Sequence, residues 1–282
     1  MAASRRMEIV LKVIFAVVIA VALFLAASGV YLYQLSTTLP DFADGPEAFR
    51  TAQTSVVYAA DGSVLARWHA GEDRTVVPLE SMTESLRDSV VATQDPYFFE
   101  HHGVNIDVIL SSIGLGGSSA DDSTQALVGS TITQQVVKML FPEERRTLVR
   151  KAQEVLLAYE LSVRVQKSDV LAMYLNTVYF GHGAHGVEAA SRRFFGVPAS
   201  ELTLAQSAVL AGLIDSPARY SPINEPEAAL KQRNRVLSTM EQLGYISSDA
   251  RSTASGEPIT LAPQVNAPVS YTHLTLPTNR EV

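Results

Sequence analysis

The sequence contains no cysteine and a single tryptophan, and only 18% of its 282 residues are charged. Without cysteine the chain has no disulfide framework, no thiolate nucleophile and no cysteine-ligated zinc or iron–sulfur site. The formal net charge of −7 argues against a general nucleic-acid-binding protein, because such domains are basic. The length suits one domain of roughly 200–250 residues with a small appendage.

One long apolar block lies near the N-terminus. Residues 13–33 are 21 consecutive residues without a charge, and a helix of this length would extend about 31 Å, against a hydrocarbon core of roughly 30 Å. Basic residues precede the block and acidic residues follow it, which predicts a cytoplasmic tail over residues 1–12 and an extracytoplasmic remainder. The alternative is a cleaved signal peptide, whose apolar region usually spans only about 7–15 residues. We therefore predict an uncleaved, single-pass signal anchor.

The rest of the chain is expected to be mostly α. A polar stalk is predicted over residues 34–52, and two β-rich runs around Asp61-Gly62 predict a β-hairpin. Asp95 and Pro96 are typical of an N-cap and a first helical position, so a helix is expected to begin there. Gly/Ser/Asp-rich residues 114–122 predict a loop, and strand signals are nearly absent after residue 80. Helical periodicity predicts helices over residues 80–93, 131–140, 146–165, 168–178, 186–195, 203–213 and 226–243.

Three segments carry the candidate functional side chains: residues 94–103, residues 129–138 and residues 146–154. Hydroxyl and backbone N–H groups at the start of a helix, as at residues 130–133, favour an oxyanion or phosphate. A cluster of cations alone favours a solvated helix face held by i,i+4 salt bridges. The Ser, Thr and Gln side chains beside the cluster favour an anionic ligand, phosphate or pyrophosphate. Five cations fall within fourteen residues: Lys138, Arg145, Arg146, Arg150 and Lys151.

Together these segments resemble glycosyltransferase family 51, the peptidoglycan glycosyltransferase domain of class A penicillin-binding proteins and of monofunctional transglycosylases. The family motif E-D-x-x-F-x-x-H-x-G is matched from Asp95 to Gly103, G-G-S-T-I-T-Q-Q-x-x-K-N from Gly129 to Lys138, and R-K-x-x-E over residues 150–154. Further motifs follow in order to about residue 268. The resemblance implies a lysozyme-like fold over residues 53–245 with a small N-terminal β-hairpin, preceded by one transmembrane helix.

The resemblance also implies a reaction, in which lipid-linked disaccharide (lipid II) is joined to a lipid-linked glycan chain and undecaprenyl pyrophosphate departs. One carboxylate takes the proton of the attacking hydroxyl, and cations stabilise the leaving pyrophosphate. Catalytic roles fall to position 94 and to Glu154, with a divalent metal such as Mg²⁺ an option at Glu154. The implied location is the bacterial inner or plasma membrane, with cell-wall synthesis proteins as partners and no nucleic acid. The residues implied in substrate binding are Asp95, Phe98, His101, Ser130, Thr131, Gln134, Gln135, Lys138, Arg146, Arg150 and Lys151.

One departure from the family is chemically important. Its catalytic base is a Glu, whereas this chain has Gln94, whose neutral amide has no useful basicity near neutral pH. Either the chain is a non-catalytic homologue, or Asp95 or Glu100 replaces the base, or position 94 is misread. The alternative function is therefore a module that binds lipid II or partner enzymes without polymerising. A lysozyme-like hydrolase is disfavoured because its general acid is absent. More mildly, Gln206 stands where the family often has Glu.

The C-terminal end reads differently from the domain before it. Residues 246–268 are predicted to begin a linker towards a further domain. The sequence contains neither S-x-x-K nor K-T-G, so no transpeptidase domain is expected within these residues. The resemblance of residues 246–268 to a class A linker implies such a domain in the intact protein. Residues 269–282 resemble a translated sequencing adapter and are set aside from the fold.

Overall fold

The computed structural model of the chain describes residues 2–37, 55–58, 64–68, 73–105, 130–141 and 148–263. Most of the predicted stalk, the predicted loop at 114–122 and the adapter-like tail lie outside these residues. The helices are α1 (Ala2–Ser36), α2 (Glu84–Gln94), α3 (Ile132–Leu140), α4 (Leu148–Arg164), α5 (Lys167–Thr177), α6 (Val187–Phe195), α7 (Leu204–Asp215), α8 (Pro226–Gln242) and α9 (Ser248–Gly256). The strands are β1 (Ser55–Tyr58), β2 (Val64–Trp68), β3 (Asp73–Arg74), β4 (Tyr179–Gly181) and β5 (Ala184–His185). The predicted mostly α class is confirmed for the described part of the chain.

The chain divides into two units, the first comprising residues 1–52 with 94–177 and the second residues 53–93 with 178–282. In the first unit α3 packs against α4 and α5, and it buries Ile132, Val136 and Val137 in that contact region. Among the residues that the structure describes, no helix has the length and hydropathy needed to cross a membrane. The anchor predicted within α1 therefore stays a prediction.

The second unit contains both small sheets. Strands β1 and β2 pair antiparallel with Ser55 opposite Trp68, which confirms the predicted hairpin. The other sheet has the order β3-β5-β4, with β3 parallel and β4 antiparallel to β5. Its strands were not predicted, because two or three residues are too few to show a period of two. Helix α8 packs against both α7 and α9.

The predicted helices are confirmed to within a few residues, but the one expected to begin at Asp95 is wrong. Residues 96–100 form turns, and the Phe98 N–H donates to the main-chain oxygen of Asp95 at 2.9 Å. The Asp95 carboxylate binds groups elsewhere in the unit, so it does not cap a following helix. Helix α9 was also not predicted, since it lies in the stretch interpreted as the start of a linker.

Candidate active site

The Ser/Thr/Gln-rich segment at residue 130 folds as a capping box at the start of α3. The Thr131 hydroxyl oxygen accepts from the Gln134 main-chain N–H at 3.2 Å, and the Gln134 side-chain oxygen Oε1 accepts from the Thr131 main-chain N–H at 3.0 Å. This reciprocal arrangement satisfies two N–H groups that would otherwise lack a partner. Both side chains are buried. The structure therefore uses Thr131 and Gln134 to hold the helix, and their predicted contact with substrate stays a prediction.

A substitution at Thr131 tests this structural role. The Thr131 hydroxyl also donates to the Gly103 carbonyl oxygen at 2.6 Å, so Thr131→Val removes two hydrogen bonds without losing volume. We expect it to lower the free energy of unfolding by about 1–2 kcal/mol, whereas Thr131→Ser keeps most of that stability. Denaturant unfolding of both variants measures the difference. Unchanged stability in Thr131→Val would contradict the cap.

The negative charge at the start of α3 is supplied by the side chain of Asp95. One carboxylate oxygen of Asp95 accepts from the Ile132 N–H at 3.1 Å, and the His101 Nε2 lies 2.9 and 3.0 Å from the two oxygens. A carboxylate is stabilised at a helix N-terminus by the helix dipole. The prediction that free N–H groups here would bind phosphate is therefore wrong at Ile132 and Gln134, because both groups are already bonded.

The other side chains of the first motif are packed inside the first unit. Phe98 is fully buried, and the Lys167 ammonium lies 4.4 Å from its ring centroid, within cation–π range. Burial lowers the pKa of Lys167, and the negative charge of Asp95 partly opposes that shift. The His101 side chain is only 10% exposed. Phe98 and His101 hold the loop in this geometry, and their assignment to substrate stays a prediction.

Gly103 ends this loop where it touches α4. Its φ of +80° is in the left-handed region, and a Cβ placed there would lie 2.2 Å from the Ala158 carbonyl oxygen. Only glycine allows this approach. Because the Gly103 carbonyl also accepts from Thr131, the loop is fixed to the start of α3 and to α4 at the same residue.

Position 94 is connected to α3 through one amide. The Gln135 Nε2 group lies 3.4 Å from the Gln94 Oε1 and donates to the Ser130 carbonyl oxygen at 3.1 Å. The Tyr174 hydroxyl donates to the Gln135 Oε1 at 2.9 Å. Gln94 and Gln135, both predicted as site residues, are thus brought together. Tyr174 was not among the predicted site residues, because it is 39 residues from Gln135 along the chain.

Two lysines meet at the Ser130 hydroxyl. The Lys138 ammonium donates to it at 2.9 Å and the Lys151 ammonium at 3.4 Å. Lys138 is exposed, and the Lys151 side chain is 52% exposed. We call these three residues the Ser130 cluster. A hydroxyl has two lone pairs and one hydrogen, so a Ser130 oxygen that accepts from both ammonium groups has its hydrogen left to donate.

Glu154 and Arg150 lie beside the Ser130 cluster on α4. The Glu154 carboxylate is 3.3 Å from the Lys151 ammonium and 3.6 Å from the Arg150 Nε. The Arg150 side chain is only 12% exposed, and it also donates to the Phe141 carbonyl at the end of α3. In this position Arg150 ties α3 to α4, and its predicted contact with substrate stays a prediction. Arg146 lies outside the described residues.

The option of a divalent metal at Glu154 stays a prediction. Both oxygens of this carboxylate contact cations. In the described part of the chain, no three His, Cys, Asp or Glu side chains are close enough to share an ion. Magnesium is usually held by one or two carboxylates together with waters and substrate phosphates. We assign no step of the reaction to a metal at this position.

The departure at Gln206 has a simple structural account in the second unit. Gln206 and Thr203 form a second capping box, in which the Gln206 side-chain oxygen Oε1 accepts from the Thr203 main-chain N–H at 3.0 Å. Glu and Gln both serve at this position of a capping box. The absence of a carboxylate at residue 206 therefore leaves the start of α7 intact.

Comparison with known proteins gives the same family from a family model and from individual relatives. The family model described as transglycosylase matches residues 61–241. The chain is 40% identical over 202 residues to penicillin-binding protein 1A/1B of Bacillus subtilis, covering 70% of this chain and 21% of that protein. It is 37% identical over 243 residues to penicillin-binding protein 1A of Aquifex aeolicus, covering 86% of this chain and 33% of that protein. It is 34% identical over 253 residues to penicillin-binding protein 1A of Pseudomonas aeruginosa, covering 86% of this chain and 30% of that protein.

Among solved structures, penicillin-binding protein 1A from Haemophilus influenzae matches with a TM-score of 0.43 and 22% identity, covering 76% of this chain and 22% of that one. The chain spans between a fifth and a third of the length of the three curated relatives named above.

Proposed function

We propose, because this chain belongs to the transglycosylase family, that it is a peptidoglycan glycosyltransferase domain that polymerises lipid II into glycan strands. The observation that carries the proposal is the Ser130 cluster, in which two ammonium groups bond to one hydroxyl. A pyrophosphate leaving group needs its developing negative charge met by fixed donors and cations. Such donors accelerate the reaction to the extent that they bind the departing anion more strongly than the ground state.

The charges of the Ser130 cluster are suited to an anion. Two ammonium groups near one hydroxyl repel each other, and a bound pyrophosphate would neutralise both. Its oxygens would also accept the hydrogen left on Ser130. Gln135 bonds both the Ser130 carbonyl and Gln94, so position 94 is one amide away from the cluster. This proximity supports position 94 as the residue that faces the hydroxyl attacking the same sugar.

The substrate carries a long lipid, and the apolar block over residues 13–33 supports an anchor in the same membrane. We place the domain on the extracytoplasmic side of the bacterial inner or plasma membrane, because basic residues precede the block and acidic residues follow it. A lipid-linked glycan chain as donor and other cell-wall synthesis proteins as neighbours follow from that location.

Gln94 favours a second candidate function. Its amide can hydrogen-bond a sugar hydroxyl but cannot take the proton near neutral pH. The domain would then hold lipid II at an intact Ser130 cluster without joining the sugars. The deciding experiment offers lipid II to the full chain and measures binding and glycan polymer separately. Polymer establishes the enzyme, binding without polymer establishes the module, and absence of both overturns the proposal.

Charge removal in the Ser130 cluster should weaken binding of lipid II. Lys138→Gln and Lys151→Gln each keep a hydrogen-bonding side chain but lose one positive charge. Since a hydrogen bond to a charged group contributes roughly 1.5–3 kcal/mol, we expect each to raise the dissociation constant about 10- to 100-fold. The effect should shrink as salt is added, because exposed charges are screened. Fluorescence titration measures it.

Lys231→Gln is the matched control, because Lys231 is an exposed lysine on α8 in the second unit. It should leave the dissociation constant unchanged. Equal affinities for the unaltered chain and both cluster variants, with folding intact, would contradict the pyrophosphate site.

A further inference from the structure

We propose that Gln135, held by Tyr174, is the positioning residue for the side chain at position 94 and sets how readily an acid there ionises. The inference rests on the proposed function, in which position 94 is where the family's base stands. It assigns to Gln135 a role different from the substrate contact predicted from the sequence. Tyr174 enters as the residue that keeps Gln135 in place.

The polarity of the Gln135 amide follows from its partners. The Ser130 carbonyl can only accept a hydrogen bond, so the NH₂ end of Gln135 must face it, at 3.1 Å. The Tyr174 hydroxyl donates to the opposite end at 2.9 Å. The second hydrogen of the NH₂ group is then available to Gln94, whose Oε1 lies 3.4 Å away. A flipped amide would set two acceptors against each other at Ser130.

The groups that hold Gln135 are themselves fixed. Tyr174 is fully buried on α5, and its ring has few accessible rotamers in a packed core. Gln135 lies in the first turns of α3, directly after the capping box of Thr131 and Gln134. Because both ends of its amide are bonded within the protein, a substrate would have to displace one of these bonds to use Gln135 as a ligand.

The consequence is that position 94 always meets an N–H donor. Gln94 accepts this hydrogen bond with its side-chain oxygen Oε1, and a carboxylate at the same position could accept it with either oxygen. A hydrogen bond donated to a carboxylate stabilises the charged form and lowers its pKa. Replacing Gln94 by a glutamate therefore changes the charge without requiring a different amide orientation at Gln135.

The test measures the pKa of the carboxyl introduced by Gln94→Glu, directly and in the full chain. Carbon-13 labelling of the glutamate carboxyls adds one signal relative to the unaltered protein, and that signal is titrated by NMR. Adding Gln135→Met removes the donor and should raise the pKa of the introduced carboxyl by about one pH unit. Adding Tyr174→Phe should shift it in the same direction by less, since Ser130 still orients the amide.

Two control variants test whether the pKa shift of the introduced carboxyl is specific to Gln135 and Tyr174. Gln166→Met and Tyr159→Phe change an exposed glutamine and an exposed tyrosine of the same unit and should leave the pKa unchanged. A purely structural role of Gln135 would lower stability without moving the titration. The charged groups described above for the first unit are the same in every variant: Asp95 and His101 on the loop, Lys138 on α3, Lys151 and Glu154 on α4, and Lys167 on α5.

An unchanged pKa of the introduced carboxyl in both Gln135→Met and Tyr174→Phe would overturn the inference. If Gln135→Met fails to fold, Tyr174→Phe decides, together with hydrogen exchange in the unaltered chain. There the Gln135 side-chain NH₂ should exchange more slowly than that of Gln166, and equal rates count against it. A shifted pKa in a protein that makes no polymer would remove the proposed function alone, whereas polymer with an unshifted pKa would remove this inference alone.

Discussion

The substitution Gln94→Glu is expected to raise the rate of glycan polymerisation by about 10²–10⁴-fold, the usual contribution of a general base. An amide cannot take the proton of the attacking hydroxyl, whereas a carboxylate can. The change is nearly isosteric, and Gln135 already directs an N–H group at this position, so neither side chain has to move. The measurement is initial polymer formation from lipid II.

The pH dependence of this gain follows from the ionised base. The introduced side chain accepts a proton only as a carboxylate, so the rate of the variant should fall as pH drops through the pKa of that carboxyl. The matched control is Gln206→Glu, which adds the same charge in the capping box of α7 and should leave the rate unchanged. Gln94→Ala should be no faster than the unaltered chain.

Equal rates for the unaltered chain and Gln94→Glu would show that another residue serves as base. Asp95 is a poor candidate, because its carboxylate is 5% exposed and accepts from His101 and Ile132. Glu100, which is exposed in the same loop, would then be the residue to replace next.

The substitution Gly103→Ala is expected to cost more than about 4 kcal/mol of folding free energy, which is exceptional for a single residue. The left-handed backbone alone costs an L-residue about 1–2 kcal/mol. The larger part is steric, because the added Cβ would lie 2.2 Å from the Ala158 carbonyl oxygen and 2.8 Å from its carbon. Ala158 is fully buried in the contact between this loop and α4, so its main-chain atoms cannot move aside cheaply. With a total stability of about 5–15 kcal/mol, much of the folded population is at risk.

Gly183→Ala separates the two contributions. Gly183 has a φ of +78°, nearly that of Gly103, but nothing lies within 4 Å of an added Cβ. We expect it to lose only about 1–2 kcal/mol. Denaturant unfolding compares the two variants, and losses of equal size would show that the loop at Gly103 can retreat from α4.

The sequence predicted helix boundaries well where the residues that start or stop the helix lie at the boundary itself. Helix α8 begins with Pro226 at its first turn, and α6 ends at Gly196 in the left-handed conformation. Such signals require only neighbouring residues. Strands β4 and β5 were missed because they are very short and depend on partners elsewhere in the second unit.

The site shows the same division between local and distant information. Spacing along the chain placed Lys138 and Lys151 in one charged region, and the structure brings both to Ser130. It could not reveal that Asp95 binds the N–H of Ile132, because those residues are 37 apart. For the same reason the hydroxyl and amide groups at the start of α3 looked available to a ligand, although the fold had already used them.

Occupation of the amino end of α3 by Asp95 has a consequence for inhibition. The helix dipole there is neutralised by the protein, so under the proposed function the binding of a diphosphate depends on the lysine side chains of the Ser130 cluster and not on rigid main-chain groups. Because lysine side chains can adjust their position, the Ser130 cluster should accept diphosphate mimics of varied shape, provided that they carry two closely spaced negative charges. Competitive displacement by buffer phosphate follows from the same flexibility, and kinetic work on this domain is best done in phosphate-free solution.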